Sequence, residues 1–290
     1  MFGLLRRSPR RSPSHALRRT RLTVESLESR YCPSGPSLTL QAQTAAGHAA
    51  LLSGMVTDGY PAGINVTFSG AVSGSTTTDA TGHYYFSTQN ASLGPVSAVA
   101  LDHQGLSSNS ASGTLSVSAP TVSLSLAYAT RGNVTLTGSV TDLDPGGRTV
   151  TFSGVLISSV VTNQDGSFSL TAYPSGPGTI QAIVTDLWGL SSNTAQVAFA
   201  PAAPLITGFT ATQGILGNWT FSGSVTSPEP EGLIVSLSGL PAVASTTATV
   251  QADGSWSVTV RLQPDDSGIV CALTTDWWGQ QSNKPGVYVC

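Results

Sequence analysis

The chain has 290 residues and a mass of 29.6 kDa, with 40% hydrophobic and only 9% charged residues, 31 Gly and 17 Pro; that length holds one large domain or two to three small ones. Eight of its 12 Lys and Arg stand before residue 31, leaving four basic against 13 acidic groups in the remainder, a balance of −9, which excludes the electrostatic footprint of nucleic-acid binding. No apolar run reaches the roughly 18 residues of a transmembrane helix, and Arg6 and Arg7 interrupt the apolar start before an ordinary secretory signal forms.

Residues 1–35 read as a basic leader, disordered and outside the fold. Within it, residues 21–33 spell R-L-T-V-E-S-L-E-S-R-Y-C-P. Val24, Glu25, Leu27, Glu28 and Arg30 resemble the short LEPR-type segment of planctomycete surface and secreted proteins, in which a basic stretch precedes V-E-x-L-E-x-R. Ser29 departs from the proline often found there, and Tyr31-Cys32-Pro33 replaces the usual leucines. The resemblance implies a protein destined for the cell surface or the exterior. A basic leader carrying a chance E-x-x-E pattern is the alternative.

Beyond the leader, one pattern recurs three times, and periodicity of this kind decides an architecture before any local signal does. A strand ending in a turn carries Gly54, then Gly138, then Gly223, at spacings of 84 and 85 residues. Sixteen residues after each comes a second glycine: Gly70, Gly154 and Gly239. A turn glycine followed by alternating residues comes next, at Gly82, Gly166 and Gly254. Each copy closes on a hairpin loop of form D-x-x-G-x-x-S-N, beginning at Asp102, Asp186 and Asp276.

Each copy holds about seven runs of period-two alternation, the pattern of half-buried strands. In the middle copy they cover 122–126, 134–141, 148–153, 156–162, 167–172, 179–185 and 194–199. The inward set is Val122, Leu124, Leu126, Val134, Leu136, Val140, Val150, Phe152, Phe168, Leu170, Ile180, Ala182, Val184, Val197 and Phe199. Seven short strands with turn signals every 8 to 12 residues or so predict an all-β chain of three tandem immunoglobulin-like β-sandwiches. The domains are expected at 36–119, 120–202 and 203–290, separated by Ala119-Pro120 and Pro201-Ala202-Ala203-Pro204. Proline-bearing linkers this short favour a semi-rigid stalk. The copies resemble the bacterial Ig-like repeats of large surface proteins, which implies an extracellular structural or adhesive role.

Three constellations are candidates for a site. Loops at one end of each sandwich gather acidic residues, among them Asp142, Asp144, Asp165 and Asp186 in copy two, and a rim of oxygens suits calcium. The plainer reading gives each Asp the backbone N–H groups of an Asx-type turn. Trp188, Trp277 and Trp278 stand in the last hairpin loops, where a tryptophan either seals the junction with the neighbouring copy or contacts a glycan or protein ligand. Cys271 and Cys290 fall on the last hairpin and are candidates for a cross-strand disulfide. No nucleophile elbow, phosphate loop or zinc-type histidine pair occurs, and all four histidines fall in the leader or copy one. The chain therefore reads as non-enzymatic, with no catalytic residue and no cofactor beyond the calcium candidate. Its partner is an unknown protein or glycan at the cell surface.

Overall fold

A computed structural model describes residues 34–290; residues 1–33 of the leader, with Cys32 and the LEPR-like run, lie outside the described residues. Copy one runs β1 (Ser37–Leu38), β2 (Gln41–Ala45), β3 (Ala49–Thr57), β4 (Asn65–Gly70), β5 (Gly74–Thr77), β6 (His83–Gln89), β7 (Gly94–Leu101) and β8 (Ala111–Leu115). Copy two runs β9 (Thr121–Val122), β10 (Ser125–Tyr128), β11 (Val134–Thr141), β12 (Thr149–Gly154), β13 (Ser158–Val161), β14 (Ser167–Ala172), β15 (Gly178–Val184) and β16 (Ala195–Phe199). Copy three runs β17 (Leu205–Gln213), β18 (Asn218–Thr226), β19 (Ile234–Ser238), β20 (Thr247–Thr249), β21 (Ser255–Arg261), β22 (Gly268–Thr274) and β23 (Gly286–Val289).

Every ladder is antiparallel, and each copy makes two sheets. In copy two, β11 pairs with β9, β10 and β14, and the second sheet has the order β13-β12-β15-β16. The other copies repeat it, with β5-β4-β7-β8 and β20-β19-β22-β23 as their four-stranded sheets. The chain is thus three immunoglobulin-like sandwiches in series. The fourth strand of each pairs with the third rather than the fifth, as β13 does with β12, so the arrangement differs from the constant-type sandwich.

Alternation sets the register. Leu136 of β11 lies opposite Leu170 of β14, and Phe152 of β12 opposite Ala182 of β15. Because side chains on a strand have period two, these pairs put one face of each sheet into the interior. All fifteen residues of the inward set in copy two belong to, or pack against, its core. The cores of copies one and three are built the same way around Leu52, Phe68 and Val96, and around Phe221, Leu237 and Val270.

The first strand of copies one and two breaks in two, and the first repeat glycine explains where. Ser123, between β9 and β10, donates its N–H to Ser139 O at 2.9 Å. A Cβ on Gly138 would run into Ser123 O and the ring of Phe168 beneath it. Gly54 meets Thr39 O and Tyr84 in the same way. In copy three β17 is continuous through a bulge between Thr207 and Thr210, and the constraint loosens, with a Cβ on Gly223 at 3.1 Å from the Trp256 ring.

Gly138→Ala therefore overpacks the middle core, at a cost of about 1–3 kcal/mol. Urea unfolding is expected to show a lower midpoint for the middle sandwich at unchanged slope, whereas Gly223→Ala moves the third sandwich less.

Candidate functional site

The D-x-x-G-x-x-S-N loop is a lock made of three bonding sets, repeated in all copies. Asp102, Asp186 and Asp276 are each only 6% exposed. Oδ1 of Asp186 accepts the N–H groups of Trp188 (2.9 Å) and Leu190 (2.7 Å), and Asp102 and Asp276 hold their own loops identically. The loop serine accepts a strand N–H, as Ser192 Oγ does from Val184 at 3.1 Å. The closing asparagine acts as a one-residue strand partner: Asn193 Oδ1 accepts Val122 N–H at 2.9 Å while its Nδ2 donates to Val122 O at 3.0 Å. Asn109 ties Leu38, and Asn283 ties Ile206, in the same manner. Sequence reasoning recognised the hairpin but gave the asparagine no role. The signal was there in its recurrence at every copy.

The second oxygen of the buried aspartate differs between copies. Asp276 Oδ2 accepts Gln280 Nε2 at 2.9 Å, and the same amide also donates to Pro201 O in the linker at 3.1 Å. Copies one and two have Leu106 and Leu190 at this position, and Oδ2 of Asp102 and Asp186 has no hydrogen-bond partner among the described residues.

The four calcium candidates are not brought together. Asp186 is engaged with its own loop, and Asp165 Oδ1 accepts Ser167 N–H at 3.0 Å and Ser167 Oγ–H at 2.7 Å. Asp142 Oδ2 accepts the N–H of Asp144 at 3.3 Å. Asp144 points to the neighbouring copy, where its Oδ2 accepts Gly47 N–H at 2.8 Å. Among the described residues no three His, Cys, Asp or Glu side chains converge as a metal site would require. Their separation has a local cause: each carboxylate sits within reach of an N–H or O–H donor and away from its fellows. The two candidate disulfide cysteines also stand apart. Cys271 lies opposite Gly286 in the β22–β23 ladder, so Cys290 is four residues further along, at about 3.3 Å per residue. That separation exceeds the roughly 7 Å Cα limit for a bridge, and among the described residues both thiols are free.

The tryptophans meet the preceding sandwich. Trp188 packs against the core of copy one, with its ring edge-on to His48 at 4.4 Å. Trp278, at the same loop position one copy later, is 7% exposed and belongs to the core of copy two. It packs edge-on to Phe199 at 5.2 Å and tilted to Tyr128 at 5.9 Å. Trp278 Nε1 donates to Gly132 O at 2.9 Å. Trp277 is half-buried beside it, donates Nε1 to Glu229 O at 3.1 Å, and accepts the Tyr173 hydroxyl at its carbonyl. Gly132 has φ +77°, and a Cβ there would strike Trp277 at 2.6 Å.

One proline explains why the two junctions differ. Residues Asn90 and Leu262 donate their N–H to His48 O and Gly217 O, both at 2.9 Å. The register of β11 with β14 puts Pro174 at the corresponding place in copy two, and proline has no N–H. Gly132 O is consequently left for the Trp278 indole. Trp188 finds the equivalent carbonyl, His48 O, already engaged, and its Nε1 has no partner among the described residues.

No family model and no curated protein matches the chain. Among solved structures it is similar to a biofilm-associated protein BSP domain, at 11% identity and TM-score 0.25 over 91% of this chain and 68% of that one. It is also similar to Clostridium thermocellum CbhA fibronectin(III)-like modules, at 21% identity and TM-score 0.23 over 58% and 91%. A marsupial T cell receptor matches at 13% identity and TM-score 0.28, over 89% and 99%. Likeness at this level carries no argument about function, and the strand order stands on its own hydrogen bonds. No helix of the described residues is long and apolar enough to cross a membrane.

Two expectations follow from this geometry. Trp278→Ala removes a buried indole and leaves a cavity, which costs about 3–5 kcal/mol; calorimetry should show the second and third sandwiches melting earlier and less cooperatively. The hydroxyls of Thr81, Ser167 and Ser255, followed by their backbone N–H groups, hold Asp79, Asp165 and Asp253 below the ordinary value of 3.8. A depressed folded-state pKa stabilises the fold above the unfolded value, and that contribution is lost as pH falls through the folded pKa. Urea midpoints should therefore drop on acidification below 3.8, and the drop should be shallower in Asp165→Asn.

Proposed function

We propose that the chain is a non-catalytic, surface-exposed or secreted structural protein, whose sandwiches serve as a spacer or adhesive scaffold with packed junctions. The observation that carries this reading is the burial of Trp278 in the neighbouring core. An indole placed in an otherwise solvent-facing loop and seated among Phe199, Tyr128 and Gly132 of the preceding copy couples adjacent sandwiches, as a spacer that transmits position requires. Loops free to carry chemistry are instead tied by their aspartates and asparagines to their own backbone. The expected domain limits near 119 and 202 belong to this reading, and the LEPR-like run supports the surface destination.

A second reading, glycan or protein binding by the hairpin loops, is favoured by one feature only. Trp277 lines a groove of about 390 Å³ with Arg131, Glu229 and Glu231 at the second junction. Burial, and then the charge of Glu231, raise the Glu229 carboxyl above its ordinary range. Trp188 and Trp278 are engaged at the junctions, so a ligand would meet Trp277.

Spin labels at the exposed positions Ile157 and Ile269 measure the coupling of copies two and three directly. The wild-type distance distribution should be narrow, and Trp278→Ala should broaden it. A distribution already broad in the wild type would overturn the packed-spacer reading. Loss of glycan-array binding in Trp277→Ala, with the distance distribution unchanged, would support the second reading in its place.

A further inference from the structure

The two internal junctions use the same pair of positions, and the outer faces of the first and last described sandwiches carry a third version of that pair. At each junction the loop between the second and third strands of one sandwich approaches the tight turn between the first and second strands of the sandwich before it. That turn is built alike in all copies, with consecutive positive φ at Gly47 and His48, at Arg131 and Gly132, and at Leu216 and Gly217. At the first junction Asp144 Oδ2 takes the N–H of Gly47. At the second, Glu229 and Arg131, the residues at the same two positions, line one groove with opposite charges. On the outer faces of copies one and three these positions hold Tyr60 and Leu216, which are 76% and 79% exposed; Ile215 beside Leu216 is 81% exposed.

The tryptophan position varies in step. At the foot of each core, behind the turn, stand Ala50, Val134 and Trp219. The first two are fully buried in the cores that receive Trp188 and Trp278. Copy three fills this place with its own Trp219, which packs against its core and lines a groove of about 560 Å³ with Leu216, Leu262 and Pro264. The hairpin loop of copy one correspondingly has Gln104 where the others have tryptophan. A small foot thus meets a large plug inside the chain, and a large foot is matched with a small plug at the ends.

We propose that the chain associates head to tail with a second copy of itself, the Tyr60 end of one molecule seated on the Ile215–Leu216 turn of the next. The occupant is a second copy because the contact continues an interface the chain already makes twice, with apolar residues replacing the polar pairs. Such a contact is heterologous: it leaves one end of each kind open and builds chains of molecules rather than closed dimers.

Sedimentation of the full chain, with reductant present so that Cys290 cannot cross-link, tests this. The wild type should show a reversible, concentration-dependent rise in mass that passes beyond the dimer. Leu216→Asp and Tyr60→Ser change exposed residues and should keep native circular dichroism, and each should weaken association by about tenfold or more, the equivalent of about 1.4 kcal/mol. An equimolar mixture of the two variants restores one good end on each molecule and should form dimers and nothing larger. A wild type that stays monomeric at all accessible concentrations, its ends simply capped, overturns the proposal. So does a Tyr60→Ser chain that dimerises as well as the wild type, because that outcome means pairing of like ends.

Discussion

A buried carboxylate oxygen that accepts two backbone N–H groups is the contact on which the junctions rest. Asp186 and Asp276 close their loops this way at 2.7 to 3.0 Å, and the second residue after each is the tryptophan that enters the neighbouring sandwich. An indole held on a mobile loop would lose much of its packing energy to ordering, since fixing backbone and side chain each cost of order 1 kcal/mol or more per residue. With the loop already fixed by its aspartate, and tied to the first strand by its asparagine, that ordering is complete before the neighbour is met. The sandwich and its junction are therefore parts of one bonding scheme.

The copies differ where their neighbours differ. Gln280 reaches both the spare oxygen of Asp276 and the linker carbonyl of Pro201, so the third loop is anchored to the linker as well as to itself. Leu190 offers no such donor, and the second loop keeps a buried Oδ2 without a partner among the described residues. Pro174 acts through what it lacks, because a missing N–H leaves Gly132 O to the incoming indole. Buried polar groups carry a cost when unpaired, so the second junction is the better satisfied of the two.

Carboxylates at these loop ends suggest a cation when counted in one dimension. In the fold each is matched with a donor that lies two to four residues away, or in the preceding sandwich in the case of Asp144. Short-range donors satisfy them at no cost in charge repulsion, whereas a shared cation would require several of them to turn toward one point.

The threefold repeat, the alternation and the turn glycines determined the all-β sandwiches and the inward set of copy two, because strand periodicity and positive-φ turns are local properties of the chain. The Asx role of Asp165 and Asp186 was legible for the same reason, as one of two readings. What only the tertiary structure decided is non-local: that Trp278 meets Gly132, 146 residues away, that Asp144 reaches Gly47, and that the third and fourth strands pair. The register of β22 against β23 likewise decided that Cys271 and Cys290 stand too far apart, since alternation fixes which face a residue occupies and leaves its position along the partner strand open. Contacts between copies depend on which ends adjoin, and no periodicity within a copy encodes that.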